Sequence, residues 1–364
     1  MTKIAFIIRA NKGRSEYYHG NVKPFVDLSL GLYNINFNSI LFLHEDEKHL
    51  YNKIYNVTNG NVPIIYYNDK NFCDIIINKM PDYMVIDDDI KYMKMTLYRL
   101  PDNIKKVVYV QYLFGVNTNK KIKRKKSLKL FIGSFIPWKY IINNYKKLLG
   151  KFDYIISNSQ TCRYILTQFY DLVVSGVVYP PVGVDMRPII ESESNINKSG
   201  ILIFVGNMAN DYFLRNLSKE IVNIKNSIKE PVRLFASEDN SLKLFRDMGI
   251  EIYNKLSVEE LVKIISSSSV TYVPTAYELF GYVGAESILC ATPVILDTYH
   301  PFLELFPIWT RAVIISNPEC SISNLYMHMK NDNIDIKYAS NAIEKFYSPE
   351  ESAKSLLMSL NTNK

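Results

Sequence analysis

The sequence predicts an α/β chain of two doubly wound domains, and three features of its pattern carry that reading. Short continuous apolar runs recur along the 364 residues, as parallel strands buried on both faces require. Amphipathic stretches at helical spacing lie between them. The alternation stops at a polar stretch without periodicity, Met186 to Lys198, and then restarts, which reads as a linker between two halves.

In the first half, Ile4 to Ile8 reads as a strand and Ala10 to Gly20 as a polar loop. The spacing of Val22, Phe25, Val26, Leu28 and Leu30 predicts a helix, and Ser39 to Leu43 a second strand. Pro81 to Ile86 and Lys106 to Val110 are further parallel-strand candidates. The second half opens on the strand Ile201 to Gly206, with Val232 to Ala236 after it. Ser257 and Glu260 have capping-box spacing and predict a helix start. Ser269 to Pro274 reads as a buried strand stopped by proline, Thr292-Pro293 ends the helix beyond it, and Val294 to Leu296 begins another strand. Ser348-Pro349-Glu350-Glu351 opens a terminal helix.

Composition narrows the function classes. An apolar fraction of 48% and a charged fraction of 22% fit a globular chain with real cores. The N-terminal apolar run is too short for a signal peptide, and no stretch approaches the ~18 residues of a membrane span. Four cysteines lie far apart without a C-x-x-C or Cys/His cluster, which argues for free thiols in a reducing, cytoplasmic setting and against zinc. Residues 1–190 carry a net charge of +12 and the rest −5, so an anionic partner is expected at the first half only.

The most informative segment is Glu278-Leu279-Phe280-Gly281-Tyr282-Val283-Gly284-Ala285-Glu286. It sets one carboxylate in the loop after a strand and another in the first turns of a helix, where open α/β sheets bind ligands. Loop amides and a helix N-terminus suit a phosphate, and carboxylates accept hydrogen bonds from sugar hydroxyls. Together they describe a nucleotide-sugar site.

The same segment, E-L-F-G-Y-V-G-A-E-S-I-L-C-A-T-P-V-I, resembles the Glu-x7-Glu signature of family four of the retaining GT-B glycosyltransferases. Leu279 and Ala291 stand where that pattern usually has glycine. Tyr154 to Ser159 and Val177 to Asp185 resemble further segments of the family's first domain. The resemblance implies two Rossmann-like domains facing each other across a cleft. Residues 1–186 would form the acceptor-side domain and 199–340 the nucleotide-sugar domain. A terminal helix within 341–364 would pack back towards the first domain.

It also implies roles. Glu278 would hold the donor sugar at the reacting carbon, as the catalytic residue, and Glu286 would accept from the ribose. Amides near Phe280, Gly281 and Tyr282, with Gly206 and Asn207, would cradle the diphosphate. Lys255 and Leu256 would lie near the base. Gly20 would be the remnant of the family's glycine pair, with His19 in the other place. His19, Asp87 and Gln111 would face the acceptor. No metal and no other cofactor is expected. The usual diphosphate cations are replaced by Asn207 and Tyr212, and Arg215 is the nearest substitute. That loss argues for an unusual donor, a slow enzyme or a non-catalytic relative, because one oxyanion donor is worth roughly 3–4 kcal/mol.

Two charged runs leave alternatives open. Asp87-Asp88-Asp89 reads as a solvated strand end, an acceptor contact or metal ligands. The basic run Lys120, Lys121, Lys123, Arg124, Lys125 and Lys126, followed by an aromatic segment with Trp138, suits an anionic membrane surface on the inner face or a loop beside a buried helix. No RNA or DNA motif accompanies it, so nucleic acid is not expected as a partner. The expected activity is transfer of a hexosyl group from a nucleotide sugar, with retention, to a glycan, lipid-linked sugar or glycoprotein glycan. A non-catalytic nucleotide-sugar-binding or scaffold protein of the same fold is the main alternative, and a nucleotide-sugar epimerase a second.

Overall fold

The computed structural model describes residues 2–8, 22–111, 138–192, 197–206, 211–236, 242–254, 256–274, 278–317 and 319–361. They form two compact units, residues 1–181 with 349–364, and residues 182–348.

The first unit holds a parallel sheet of β1 (Lys3–Ile8), β2 (Asn38–His44), β3 (Ile64–Tyr67), β4 (Tyr83–Asp87), β5 (Lys105–Val110), β6 (Tyr154–Ser157) and β7 (Gly176–Val177). Their order is β3-β2-β1-β4-β5-β6-β7. Chain order reverses between β1 and β4, so the ligand crevice of this sheet lies beyond the C-terminal ends of those strands. Phe6, Leu41, Val85, Val107 and Ile156 are fully or almost fully buried, because helices cover both faces and leave no strand face for water. The helix Lys23–Asn34 covers one face and is itself packed by the terminal helix Pro349–Asn361. Leu28 and Leu32 share a core there with Ala353, Leu356 and Leu360.

The second unit repeats the plan with β8 (Ile201–Gly206), β9 (Val232–Ala236), β10 (Glu251–Tyr253), β11 (Val270–Val273), β12 (Val294–Leu296) and β13 (Val313–Ile315). All pairs are parallel, in the order β10-β9-β8-β11-β12-β13, and the reversal falls between β8 and β11. The expected capping box is present: Glu260 N donates to Ser257 Oγ at 3.2 Å and Ser257 N to Glu260 Oε2 at 2.8 Å.

Two expectations change. The stretch from Met186 to Lys198 is not simply a linker. Arg187–Ser192 is helical, and Met186 is buried beside Leu202, Val262 and Ile265, with Ile189 and Ile190 packed on that cluster. Residues 341–348 fall in the second unit, since Ala342 and Ile343 of the helix Ile336–Phe346 are buried and that helix packs on the helix Tyr282–Leu289.

Glu230 ties the entry of β8 to the helix Ile322–Asn331. Its Oε2 accepts from Gly200 N at 3.0 Å and from the Tyr326 hydroxyl, and its Oε1 from the Lys330 ammonium. The bonds from Lys330 and Tyr326 hold the Glu230 carboxyl down at about 2. A depressed carboxyl stabilises the fold above its ordinary value of 4.5, and the contribution disappears as pH falls towards 2. Glu230→Ala is therefore expected to cost on the order of 1–2 kcal/mol at neutral pH, discounted for solvent exposure. Urea titrations of both proteins at several pH values should show the gap closing below pH about 4.

Candidate functional site

The second unit's crevice is built from the ends of β8 and β11, which pair directly through Ile203 and Tyr272. β11 is buried along its length and runs into Pro274. Glu278 then stands half-buried in the loop, and Phe280 is buried. Gly281 takes φ +96° and ψ 56°, a left-handed conformation open to glycine, and turns the chain into the helix Tyr282–Leu289. Gly281 stands at the N-cap of that helix and brings no side chain to cap it. Glu286 lies in its second turn and is buried.

The turn is clamped from below. A Cβ on Gly281 would stand 2.5 Å from His300 Nδ1, so the His300 ring closes directly against the glycine. Phe302 N donates to Phe280 O at 2.9 Å, and the Tyr347 hydroxyl donates to Phe302 O. The Phe280 ring meets Tyr282 and Tyr347 edge-on at 5.2 and 5.4 Å. His300, Phe302 and Tyr347 lie 19 to 66 residues beyond Gly281 and share no motif with it, so no local pattern in the sequence marks them.

The other end of the helix is equally held. Lys198 Nζ donates to Cys290 O at 3.2 Å, Ala291 O at 3.0 Å and Thr292 Oγ1 at 2.8 Å, placing a cation at the negative end of the helix dipole. Burial lowers the Lys198 amine to about 8. Ser287 Oγ donates to Thr271 Oγ1 at 2.7 Å and fastens the helix to β11. Across the same strand, the Tyr272 hydroxyl donates to Glu220 Oε2 at 3.1 Å. Burial pushes the Glu220 carboxyl up, the Tyr272 bond opposes this, and the charge of Asp297 adds to the rise.

In the first unit, the acidic run after β4 is not a solvated strand end. Asp87 and Asp88 are both buried. Asp88 accepts from Gln111 N at 2.9 Å and from the Tyr145 hydroxyl at 2.7 Å, cross-linking the ends of β4 and β5 to the helix Trp138–Leu149. Asp89 caps the helix Ile90–Arg99, accepting from Lys91 N at 2.8 Å. Gln111 is also buried at the end of β5, and among the described residues nothing accepts from its Nε2.

The remaining sequence candidates are placed less fully. Gly206 ends β8 and Leu256 is half-buried ahead of the helix Val258–Ser266. Arg215 lies in the helix Asp211–Ser227 and Trp138 opens the helix Trp138–Leu149. His19, Gly20, Lys120, Lys121, Lys123, Arg124, Lys125, Lys126, Asn207 and Lys255 lie outside the described residues.

No family model matches the chain, and no curated protein matches it in sequence. Solved structures do match it over its whole length. Against S. aureus TarM, in complex with Fondaparinux, alpha-GlcNAc-glycerol and UDP, it is 11% identical, covers 100% of both chains and has a TM-score of 0.68. A glycosyltransferase from Rickettsia africae is 13% identical, with 99% of each chain covered and a TM-score of 0.63. The UDP-GlcNAc 2-epimerase of Neisseria meningitidis, bound to UDP-GlcNAc, is 10% identical, with 99% of each chain covered and a TM-score of 0.58. The fold is GT-B. At these identities the likeness is one of architecture, and each GT-B unit here is a Rossmann-like sheet with its own switch point.

One departure of this GT-B chain has a structural consequence. Ala291, where the resembling signature has glycine, adopts φ +54° directly after the helix Tyr282–Leu289 and Cys290. A left-handed conformation costs a non-glycine residue roughly 1–2 kcal/mol, partly offset by the greater freedom that glycine loses on folding. Ala291→Gly should raise stability by about 0.5–1 kcal/mol in chemical denaturation.

Proposed function

We propose that this chain is a glycosyltransferase that takes a nucleotide-diphosphate sugar in its second unit and passes the hexosyl group, with retention, to a hydroxyl-bearing acceptor. The observation that carries the reading is the placing of a half-buried Glu278 and a buried Glu286 on either side of a helix N-terminus that opens on Gly281, beside the switch point of the second sheet. Glu286 accepts from the ribose hydroxyls. Glu278 accepts from the donor sugar and sets its reacting carbon. The amides from Phe280 to Tyr282 and at Gly206 meet the diphosphate as its charge grows on departure. The GT-B likeness to glycosyltransferases, one of them crystallised with UDP, supports the same reading.

On the acceptor side, the reading uses Gln111. A buried amide nitrogen with no acceptor among the described residues is costly unless something else fills its bonding capacity. An acceptor hydroxyl at the ends of β4 and β5 would do so, with Asp87 beside it. The epimerase likeness favours a second reading, interconversion of the donor without transfer. It requires a donor that changes when no acceptor is present.

Two measurements test the proposal. In a thermal-shift series with UDP, GDP, ADP and their sugar conjugates, at least one diphosphate should raise the melting temperature. Glu286→Gln should weaken that ligand about tenfold or more, since a hydrogen bond to a charged group is worth roughly 1.5–3 kcal/mol. Glu278→Gln should lower turnover with little loss of nucleotide affinity. Unchanged binding and turnover in both variants would remove these carboxylates from the site. Gln111→Leu separates function from packing: it should leave stability equal or higher, while raising KM for the acceptor.

A further inference from the structure

Several cations of the second unit are matched with acceptors. Arg233 donates from Nη1 to Ser199 O at 2.8 Å and from Nε to Glu251 Oε2 at 3.2 Å. Arg311 pairs with Asp332 at 3.3 Å, and Lys330 with Glu230. Arg187 departs from this pattern. Its Nε and Nη2 are both shut away from water, and among the described residues neither donates to any acceptor. Asp185 and Glu191, its nearest carboxylates along the chain, leave both nitrogens unmatched.

Nε and Nη2 form one edge of the guanidinium. Their N–H bonds run side by side, at the spacing of two oxygens of a carboxylate or phosphate. A buried donor that meets nothing has lost its hydration without replacement, and here a pair of donors has done so. A long cationic side chain ordinarily avoids that cost by keeping its head in water. Arg187 as a whole is only half-buried, so water is within its reach, yet this edge is buried.

The backbone under Arg187 is firmly held. Gly183 takes φ +71°, and a Cβ there would stand 2.2 Å from Leu289 Cδ1, so the chain closes directly on the helix Tyr282–Leu289. Arg187 N donates to Gly183 O at 3.0 Å, and Ile189 N and Ile190 N both donate to Met186 O at 3.0 Å. Met186, Ile189 and Ile190 pack in one cluster with Ile265 and Cys290, where the helices Val258–Ser266 and Tyr282–Leu289 finish. Each of those helices runs from the end of one strand towards the start of the next, which puts Arg187 by the strand-start side of the sheet. The Gly281 turn stands at the other end of the helix Tyr282–Leu289.

We propose that Arg187 holds a small oxyanion on the second unit, a phosphate or carboxylate group that accepts from Nε and Nη2 together. Such a group completes the fork, and its charge meets the guanidinium where solvent screening is weak. A monatomic anion cannot align with two parallel N–H bonds at once, so chloride is the natural control. Its place away from the Gly281 turn makes this site independent of the nucleotide-sugar reading.

The test is thermal unfolding of the full chain in sodium chloride, sodium phosphate and sodium acetate at equal ionic strength. At least one oxyanion is expected to raise the melting temperature about 2–4 °C above chloride. A rise with phosphate alone assigns a phosphate group, with acetate alone a carboxylate, and with both the shared chemistry. Arg187→Met keeps the apolar stem without the fork. It should melt in chloride at the same or a higher temperature and show no more than the stabilisation that phosphate gives by exclusion from protein surfaces. Arg187→Lys keeps the charge without the fork and should lose most of the rise. The proposal is overturned if neither oxyanion exceeds chloride, or if the rise is as large in Arg187→Met. A lower melting temperature of Arg187→Met in chloride also overturns it, because the guanidinium would then be satisfied already.

Discussion

The Gly281 turn shapes the second unit's crevice through a steric constraint. Its Cα closes on the His300 ring with no space for a Cβ, and its left-handed backbone redirects a buried strand's loop into a buried helix within one residue. The bond from Phe302 N to Phe280 O prevents the turn from lifting, and the Tyr347 hydroxyl holds the Phe302 carbonyl in turn. From that fixed start, the 3.6-residue period brings Glu286 onto the helix one turn inside the N-terminus. In the proposed function such preorganisation would serve charge stabilisation, because amides already held towards a phosphate need not reorient during reaction.

Holding both ends of one short helix is a recurring economy here. Lys198 gathers the carbonyls after the helix, while Ser287 and Thr292 spend their hydroxyls on β11 and the neighbouring helix. A helix of eight residues is too short to persist alone, so these contacts, with the apolar packing of Ala285, Ile288 and Leu289, supply its order. The first unit uses the same logic at the ends of β4 and β5. Asp88 is consumed as a cross-link and Asp89 as a cap, while among the described residues nothing accepts from the Gln111 amide nitrogen.

Much of the architecture was legible because the interior strands are buried on both faces and must be written as continuous apolar runs. β1, β2, β4, β5 and β6 in one unit, and β8, β11 and β12 in the other, all show them, whereas β9, with Arg233 in it, alternates buried and half-buried positions. The strands without such a run, β3, β10 and β13, are edge strands of their sheets. With one neighbour and partial exposure they need neither length nor unbroken hydrophobicity, so local pattern carries little trace of them.

The sequence alone determined the alternation of elements, the division into two sheets, the Ser257–Glu260 box and the segment that pairs Glu278 with Glu286. Each of these depends on residues within a few positions of one another, where backbone geometry dictates the pattern. Only the tertiary structure decided that Met186, Ile189 and Ile190 belong to a core and not a linker. It also decided that Asp88 meets Tyr145 across 57 positions and that His300 closes the Gly281 turn. Those outcomes depend on which surfaces meet when helices dock on a sheet, and packing between distant segments leaves no periodic mark in the chain.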